Sequence, residues 1–265
     1  MSTLNDNLTE IQDARDDMKL ALEEKGQTVT KDIRTYAEAI TNISGGGGTI
    51  LNVGNSYVSV SGTTLTFEPE HIELEYIQST GTQYILTSLL ISGGYKIVAD
   101  ILMTSGVTGE NSFFGWKDYS DSPQEGMECY FNSGKPSAWI RSTSTVTLGN
   151  ATAYYNQLIH YELEETSSGT TLTLNNSTTY SSSVKLSRAS NTPAMIFAYN
   201  SEGTADYLFK GKLYSLKIYQ NNVLVADYVP CRLNKYNIVC LYDKVNNTYL
   251  FNQGSGSFTA GPVVS

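Results

Sequence analysis

From His71 onward the chain alternates apolar and polar residues with a period of two and shows no stretch of helical period. Tyr214, Leu216 and Ile218 alternate with Ser215 and Lys217, as a strand with one buried face requires. Tyr95 to Met103, Ala194 to Tyr199, Lys212 to Tyr219 and Val223 to Val229 read as further strands, separated by polar turns. Asn221-Asn222 tolerates positive φ and predicts a tight hairpin between the last two. Many short strands without helices can bury their apolar faces only sheet on sheet. The expected class is therefore mainly β, a two-sheet sandwich or jelly roll over residues 71–265. The 19 Tyr and the low charged fraction of 16% fit strands and turns better than helices.

The first 44 residues obey a different period. Leu4, Leu8, Ile11, Met18 and Leu22 share one helical stripe, interrupted where Arg15 takes an inward position. Gly26 stands where a left-handed C-terminal cap belongs. A second, shorter helix is expected from Lys31 to Ile43, with Thr30 as N-cap and Ile33, Tyr36, Ala37 and Ile40 as its apolar face. Two such helices bury too little to be stable alone, so they are expected to pack on other copies or on a larger partner. Ser44 to Gly48 (SGGGG) reads as a flexible tether or as a tight turn passing close to a neighbour. Residues 45–70 hold this linker and a small β element, in which Ile50, Val53, Tyr57, Val58, Val60, Leu65 and Phe67 are broken by Gly54-Asn55 and Ser61-Gly62.

Net charge of −9 and an isoelectric point near 4.7, with no Lys/Arg cluster, exclude nucleic acid as the main partner, whose affinity comes from a basic stripe. Net charge of this sign keeps copies soluble until specific contacts assemble them. Three cysteines, Cys129, Cys231 and Cys240, do not make a secreted disulfide framework, and reduced buried thiols are expected. The start MSTLNDNLTE has no basic, apolar leader, and no run reaches the about 20 apolar residues of a membrane span, so synthesis and folding in a cytoplasm are expected.

Three passages resemble modules of bacteriophage structural proteins. Leu74-Glu75-Tyr76-Ile77-Gln78-Ser79-Thr80-Gly81-Thr82-Gln83-Tyr84-Ile85 is similar to the opening strand of a concanavalin A-like (laminin-G-like) β-sandwich found in phage tail and fibre proteins. Phe209-x-Gly211-Lys212-Leu213-Tyr214, then Asp227-Tyr228-Val229-Pro230-Cys231-Arg232, Leu241-Tyr242-Asp243 and Gly256-x-Phe258-Thr259-Ala260-Gly261-Pro262, resemble the closing strands. The helical start, ending Tyr36-Ala37-Glu38-Ala39-Ile40, is similar to segments that attach minor structural proteins to the particle. The chain departs from the module at Leu86-Thr87-Ser88, where Asp-Thr-Gly is usual, and at Cys240, where Gly is common. The resemblance implies a virion component assembled in the host cytoplasm. Its partners would be capsid or tail proteins, further copies of the chain and host-surface glycans.

No constellation argues for catalysis. His71 and His160 are far apart in sequence, and the acidic groups Glu73/Glu75 and Glu162/Glu164/Glu165 lack the Glu-x-Asp-x-Glu pattern and flanking Trp of sandwich glycoside hydrolases. A non-enzymatic chain without cofactor or resident metal is expected. Asp118-Tyr119-Ser120-Asp121 with Glu125 is oxygen-rich but lacks the EF-hand spacing, and a solvated loop is the expectation. Carbohydrate recognition uses an aromatic face beside polar groups. Trp116, Tyr119 and Trp139 are the candidates, each tryptophan having plain core as its alternative, while Phe113 and Phe114 read as core. The expected function is that of a fibre, decoration or adaptor protein displaying a lectin-like domain. The alternatives are a ligand-free architectural spacer, a bacterial surface lectin and a glycoside hydrolase.

Overall fold

The computed structural model describes residues 51–53, 56–61, 64–120, 124–142, 144–234 and 236–264, with side chains described from residue 70 onward. The expected helical anchor, with Leu4, Leu8, Ile11, Met18, Leu22, Ile33, Tyr36 and Ile40 on its apolar faces, lies outside the described residues, as does the linker at Ser44 to Gly48. Among the described residues every regular element is a strand.

The described residues divide between two compact units, the first reaching Ile72 and including Leu233 to Asn237, the second running from Glu73 to Arg232 and from Ile238 onward. In the first, β1 (Leu51–Val53), β2 (Ser56–Ser61) and β3 (Thr64–Pro69) make an antiparallel three-stranded sheet. Val53 faces Ser56 and Ser61 faces Thr64, so two residues separate the paired strands at each connection.

Further strands along the chain are β4 (His71–Glu73), β5 (Ile77–Thr80), β6 (Ile85–Leu86), β7 (Tyr95–Met103), β8 (Glu110–Asp118), β9 (Glu125–Asn132) and β10 (Lys135–Arg141). Next come β11 (Thr145–Gly149), β12 (Leu158–Thr166), β13 (Gly169–Leu174), β14 (Thr178–Ser182), β15 (Met195–Ile196), β16 (Tyr199–Ser201) and β17 (Thr204–Asp206). The last are β18 (Lys210–Gln220), β19 (Val223–Leu233), β20 (Ile238–Asp243), β21 (Thr248–Leu250) and β22 (Thr259–Ala260).

Two predominantly antiparallel sheets build the second unit as a β-sandwich. One runs β11-β10-β9-β8-β15-β6, with β16 lying parallel to β8 and β17 beyond it. The other runs β14-β13-β12-β7-β18-β19-β20-β21, with β5 beside β18 and β22 beside β5. Phe114, Trp116, Met127, Cys129, Phe131 and Ile140 of the first sheet share a single buried cluster with Ile97, Ile101, Ile159, Leu163, Leu216 and Ile218 of the second. Rings interlock across the gap: Phe113 meets Tyr161 edge-on at 4.9 Å, and Phe209 packs against Phe131 at 5.8 Å. The Tyr161 hydroxyl donates to the Ser137 carbonyl at 2.9 Å, tying sheet to sheet with a satisfied buried polar group.

The opening and closing motifs are neighbours in space. Gln78 pairs with Thr259 and Ile77 with Ala260, while Leu74 bridges Val263. Buried Gln83 is the hub: its Oε1 accepts from Ser79 Oγ and Thr80 N, and its Nε2 donates to Thr82 Oγ1 and the Ser255 carbonyl. At the departure from the module's usual pattern, the buried Thr87 hydroxyl donates to the Ala194 carbonyl at 2.7 Å and accepts from Leu89 N at 3.1 Å, so the turn is held by its own side chain.

The hairpin expected at Asn221-Asn222 is present, with φ of 50° and 64° and Gln220 facing Val223. The single strand expected over Ala194 to Tyr199 is not. Phe197 adopts φ of 63° and divides it, so β15 runs antiparallel to β8 whereas β16 runs parallel to it. The buried Phe197 ring, packed on Phe258 at 4.8 Å, holds a backbone conformation that a bulky residue alone disfavours.

Candidate functional site

The two sheets treat their outer faces differently. β7 and β12 alternate strictly between buried and part-exposed residues, as expected where the outer face meets water. β8 and β9 are buried on both faces along nearly their whole length. Something therefore covers the outer face of the first sheet, and it is a set of aromatic and charged side chains.

Strand register assembles them. One row across the sheet is Gly115, Glu128, Trp139 and Thr147; the next is Lys117, Gly126, Arg141 and Thr145. Residues directly opposed on antiparallel strands share a face, so the rows lie side by side. Lys117 of β8 and Tyr119 just beyond its end, Glu128 and Tyr130 of β9, and Trp139 and Arg141 of β10 thus make three i, i+2 pairs. The two glycines make room. A Cβ on Gly126 would stand 2.7 Å from the Trp139 ring, and one on Gly115 would stand 3.0 Å from the Tyr199 ring. With Glu110 and Tyr207, these residues line a cleft of about 300 Å³, at the small end of the range for ligand sites.

The cleft is unusual in its polar groups. Lys117 Nζ stands 3.0 Å from the Tyr119 ring centre and 5.1 Å from that of Trp139, a cation held against two π faces. Burial, and then the Arg141 charge, push the Lys117 ammonium below its usual range. Glu128 is buried, and its Oε1 has no hydrogen-bond partner. Burial foremost, and then the Glu110 charge, push its carboxyl up to about 8, so at neutral pH it is largely an uncharged acid. Burial also raises the Tyr199 phenol, with the Glu128 charge adding to it, and the Glu110 charge raises that of Tyr207. An aromatic wall beside unpaired polar atoms is chemistry suited to a polyhydroxylated ring, whose C–H face packs on an indole while its hydroxyls bond at the edges.

Of the sequence candidates, Trp139 and Tyr119 come together in this cleft. Trp116 does not: its side chain is 0% exposed within the core cluster, so its ring cannot reach a ligand. The irregularity between Ser112 and Phe114 sets which residues of β8 face inward, and it places Phe114 and Trp116 there. Sequence reasoning missed Glu110, Lys117, Glu128, Tyr130, Arg141, Thr147, Tyr199 and Tyr207. The i, i+2 pairs on three strands were the available signal, but they mean little until the strands are known to be adjacent.

The expectation of a solvated 118–125 loop is corrected at both ends. Asp118 and Glu125 are buried; Asp118 Oδ2 accepts from Arg188 and Asn191 N at 2.9 Å, and Glu125 Oε1 accepts from Ser142 Oγ and Ser187 N at 2.9 Å. Asp121 lies outside the described residues, and among those described no group of three metal-ligating side chains converges. The acids weighed for hydrolysis sit away from the cleft. Glu162 and Glu164 face Lys96 at 2.7 and 4.0 Å on the other sheet, Glu165 accepts from Gly94 N and Leu186 N, and Glu73 pairs with Lys244 at 2.7 Å. His160 Nδ1 and Ser215 Oγ each bond Asp100 at 2.8 Å, which puts the acid in the middle, where a Ser/His/Asp relay needs the imidazole. A larger cleft of about 450 Å³ is lined by Tyr84, Pro193, Met195, Asn200 and Glu202 among others, with Tyr84 its one aromatic residue. Five aromatic residues line the smaller cleft, which makes it the better candidate.

No protein-family model matches the chain, and no curated protein matches it. Solved structures do. A candidate carbohydrate-binding protein of Bacteroides ovatus is 13% identical with a TM-score of 0.50, the match covering 81% of this chain and 71% of that one. The LG4-5 domains of mouse laminin α1 are 10% identical with a TM-score of 0.48, over 78% of this chain and 51% of that one. The CBM40 of Ruminococcus gnavus IT-sialidase, bound to α2,3-sialyllactose, is 17% identical with a TM-score of 0.41, over 57% of this chain and 89% of that one. The likeness to the Bacteroides protein shows a shared β-sandwich fold.

Proposed function

We propose that the sandwich is a non-catalytic glycan-binding domain, and that its ligand stacks on Trp139 in the cleft between Lys117, Arg141 and Tyr199. We further propose that the chain is a structural component of a bacteriophage particle, a fibre, decoration or adaptor protein. Residues 1–44 would attach it there, so that the domain faces host-surface glycans.

The single observation that carries the binding reading is the half-buried Trp139 ring over Gly126, in a cleft whose lining includes five aromatic residues and a buried carboxyl with a free oxygen. Sharing a fold with a candidate carbohydrate-binding protein is consistent with that reading. The particle reading rests on the resemblance of the strand motifs and of the N-terminal segment to phage structural proteins, and on the helical periodicity expected for residues 1–44, since helices of that length would need a partner. Single-site affinity for one sugar is expected to be weak, with many copies supplying a gain of about 10² to 10⁴.

The test of binding is a glycan array probed with a multimerised form of the chain. Binding is expected to fall about tenfold or more in Trp139→Ala, the loss typical of a ring at the centre of a contact. An array without signal, or a Trp139→Ala variant that binds unchanged, overturns the site. The test of attachment is deletion of residues 1–44, which should leave a folded sandwich that no longer joins particles; continued incorporation overturns the anchor.

A further inference from the structure

We propose that the cleft takes a carboxylate-bearing sugar residue, seated on the Trp139 ring with its acid group met by Arg141 and Lys117. This deepens the glycan-binding reading of the same cleft and depends on it.

The observation is where this chain places two of its cations, one of them buried. Among the eleven described Lys and Arg side chains, Lys96, Arg188, Lys217 and Lys244 lie within 4.0 Å of a carboxylate (Glu162, Asp118, Asp227 and Glu73 respectively), and only Lys117 is buried. Lys117 and Arg141 have no ion pair among the described residues, although Lys117 is 93% buried and both line a cleft that also contains Glu110 and Glu128. A nearly buried ammonium without a counter-ion is costly to keep.

Their placement suits one anion. Lys117 and Arg141 both oppose Gly126 in the strand register, one from each side, and Gly126 has no side chain to fill the space between them. The Trp139 ring lies over that same glycine. A pyranose on the indole would bring a substituent at its rim toward both cations. The planar Arg141 guanidinium matches a carboxylate with two parallel hydrogen bonds.

The acids of the cleft decide between a carboxylate and a more highly charged group. Glu110 is exposed and Glu128 is held neutral by burial, so near pH 7 the lining carries two positive charges against one negative. Glu128 faces Glu110 and Lys117 from β8, Tyr130 from its own strand, Arg141 from β10, and Tyr199 and Tyr207 from beyond. The three phenols are pushed upward, Tyr130 to about 12, so they stay neutral while Glu128 titrates. The surplus of one positive charge matches a single carboxylate. A sulfate cluster or a phosphate dianion would overdraw it. Ionising Glu128 cancels the surplus, so affinity should fall as pH rises through about 8.

The experiment uses the full chain, multimerised, on an array of uronate- and sialate-containing glycans, each printed beside its carboxyl-reduced counterpart, with sulfated and phosphorylated glycans as separate arms. Binding to one or more carboxylated members, and about tenfold less to their reduced counterparts, is the expected result. Arg141→Gln and Lys117→Gln should lose that preference while a circular-dichroism melt shows them folded. If either fails to fold, the paired array on the unmodified chain still decides. Binding of the carboxylated member should weaken from pH 6.5 to 9.5, and Glu128→Gln should remove much of that loss. Equal binding to acidic and reduced partners, or binding to sulfated or phosphorylated members alone, overturns the carboxylate assignment and leaves a glycan site standing. Silence across every arm overturns the glycan reading as well.

Discussion

In the unfolded chain the Glu128 carboxyl loses its proton near the ordinary 4.5, whereas the folded protein holds that proton up to about pH 8 because burial disfavours the charge. Between those values the native state binds the extra proton, so its stability falls as pH rises, at about 1.4 kcal/mol per pH unit while the difference is complete. Above about pH 8 the contribution is fully lost and the slope from this residue ends. Glu128→Gln removes the titration without removing the volume. The variant should therefore gain stability relative to the unmodified chain from pH 5 to 8, read as a widening difference in urea midpoint. A constant difference across that range would show that Glu128 is not held neutral. The tryptophans show what was legible at this scale. Both stand in strands with apolar neighbours, yet Trp116 faces the core and Trp139 faces the cleft. Which face a residue takes is set by strand parity, and the irregularity at Ser112/Phe114 in β8 shifts that parity without any mark in composition.

At the level of elements, Gln83 explains why the opening motif reads as it does. Its carboxamide joins the turn at Ser79–Thr82 to the Ser255 carbonyl 172 residues away, so the sandwich's opening and closing segments meet on one buried side chain. Gln83→Leu would strand several of those groups, at about 1–3 kcal/mol for a buried group left unpaired. A lowered urea midpoint with an unchanged slope is expected; a change under about 0.5 kcal/mol would mean that water replaces the amide. The closing strands carry a second expectation. Cys231 and Cys240 approach to 3.4 Å between sulfurs as free thiols, and Cys129 is likewise buried and free. A thiol reagent should find almost none in the native protein and three per chain after unfolding without reductant. Finding one would mean that the pair is bonded. Alternation and turn chemistry made β7, β18 and the Asn221-Asn222 hairpin readable in advance. The split at Phe197 was not, because its positive φ is imposed by packing among Phe209 and Phe258 and runs against local preference.

For the molecule as a whole, the sandwich is expected to stand without the first 44 residues. Among the described residues, every member of its buried cluster lies between Leu74 and Phe258, and the pairing of β22 with β5 joins the closing segment to the opening one. The apolar stripes that the sequence places from Leu4 to Ile40 are expected to have the opposite character, because a lone helix pair of that length would bury too little to offset its ordering entropy. Stability and assembly should then separate cleanly. A chain of residues 45–265 should melt within about 3 °C of the full chain, since it keeps the whole described core. By sedimentation it should be a monomer, whereas the full chain self-associates or waits for a larger partner. A truncated chain that melts far lower would show that the first residues belong to the fold. A full chain that stays monomeric and helical in its first 44 residues in dilute buffer would remove the physical reason for a partner. The particle reading would then have only its sequence resemblance to rest on, while the cleft and its chemistry would stand unchanged.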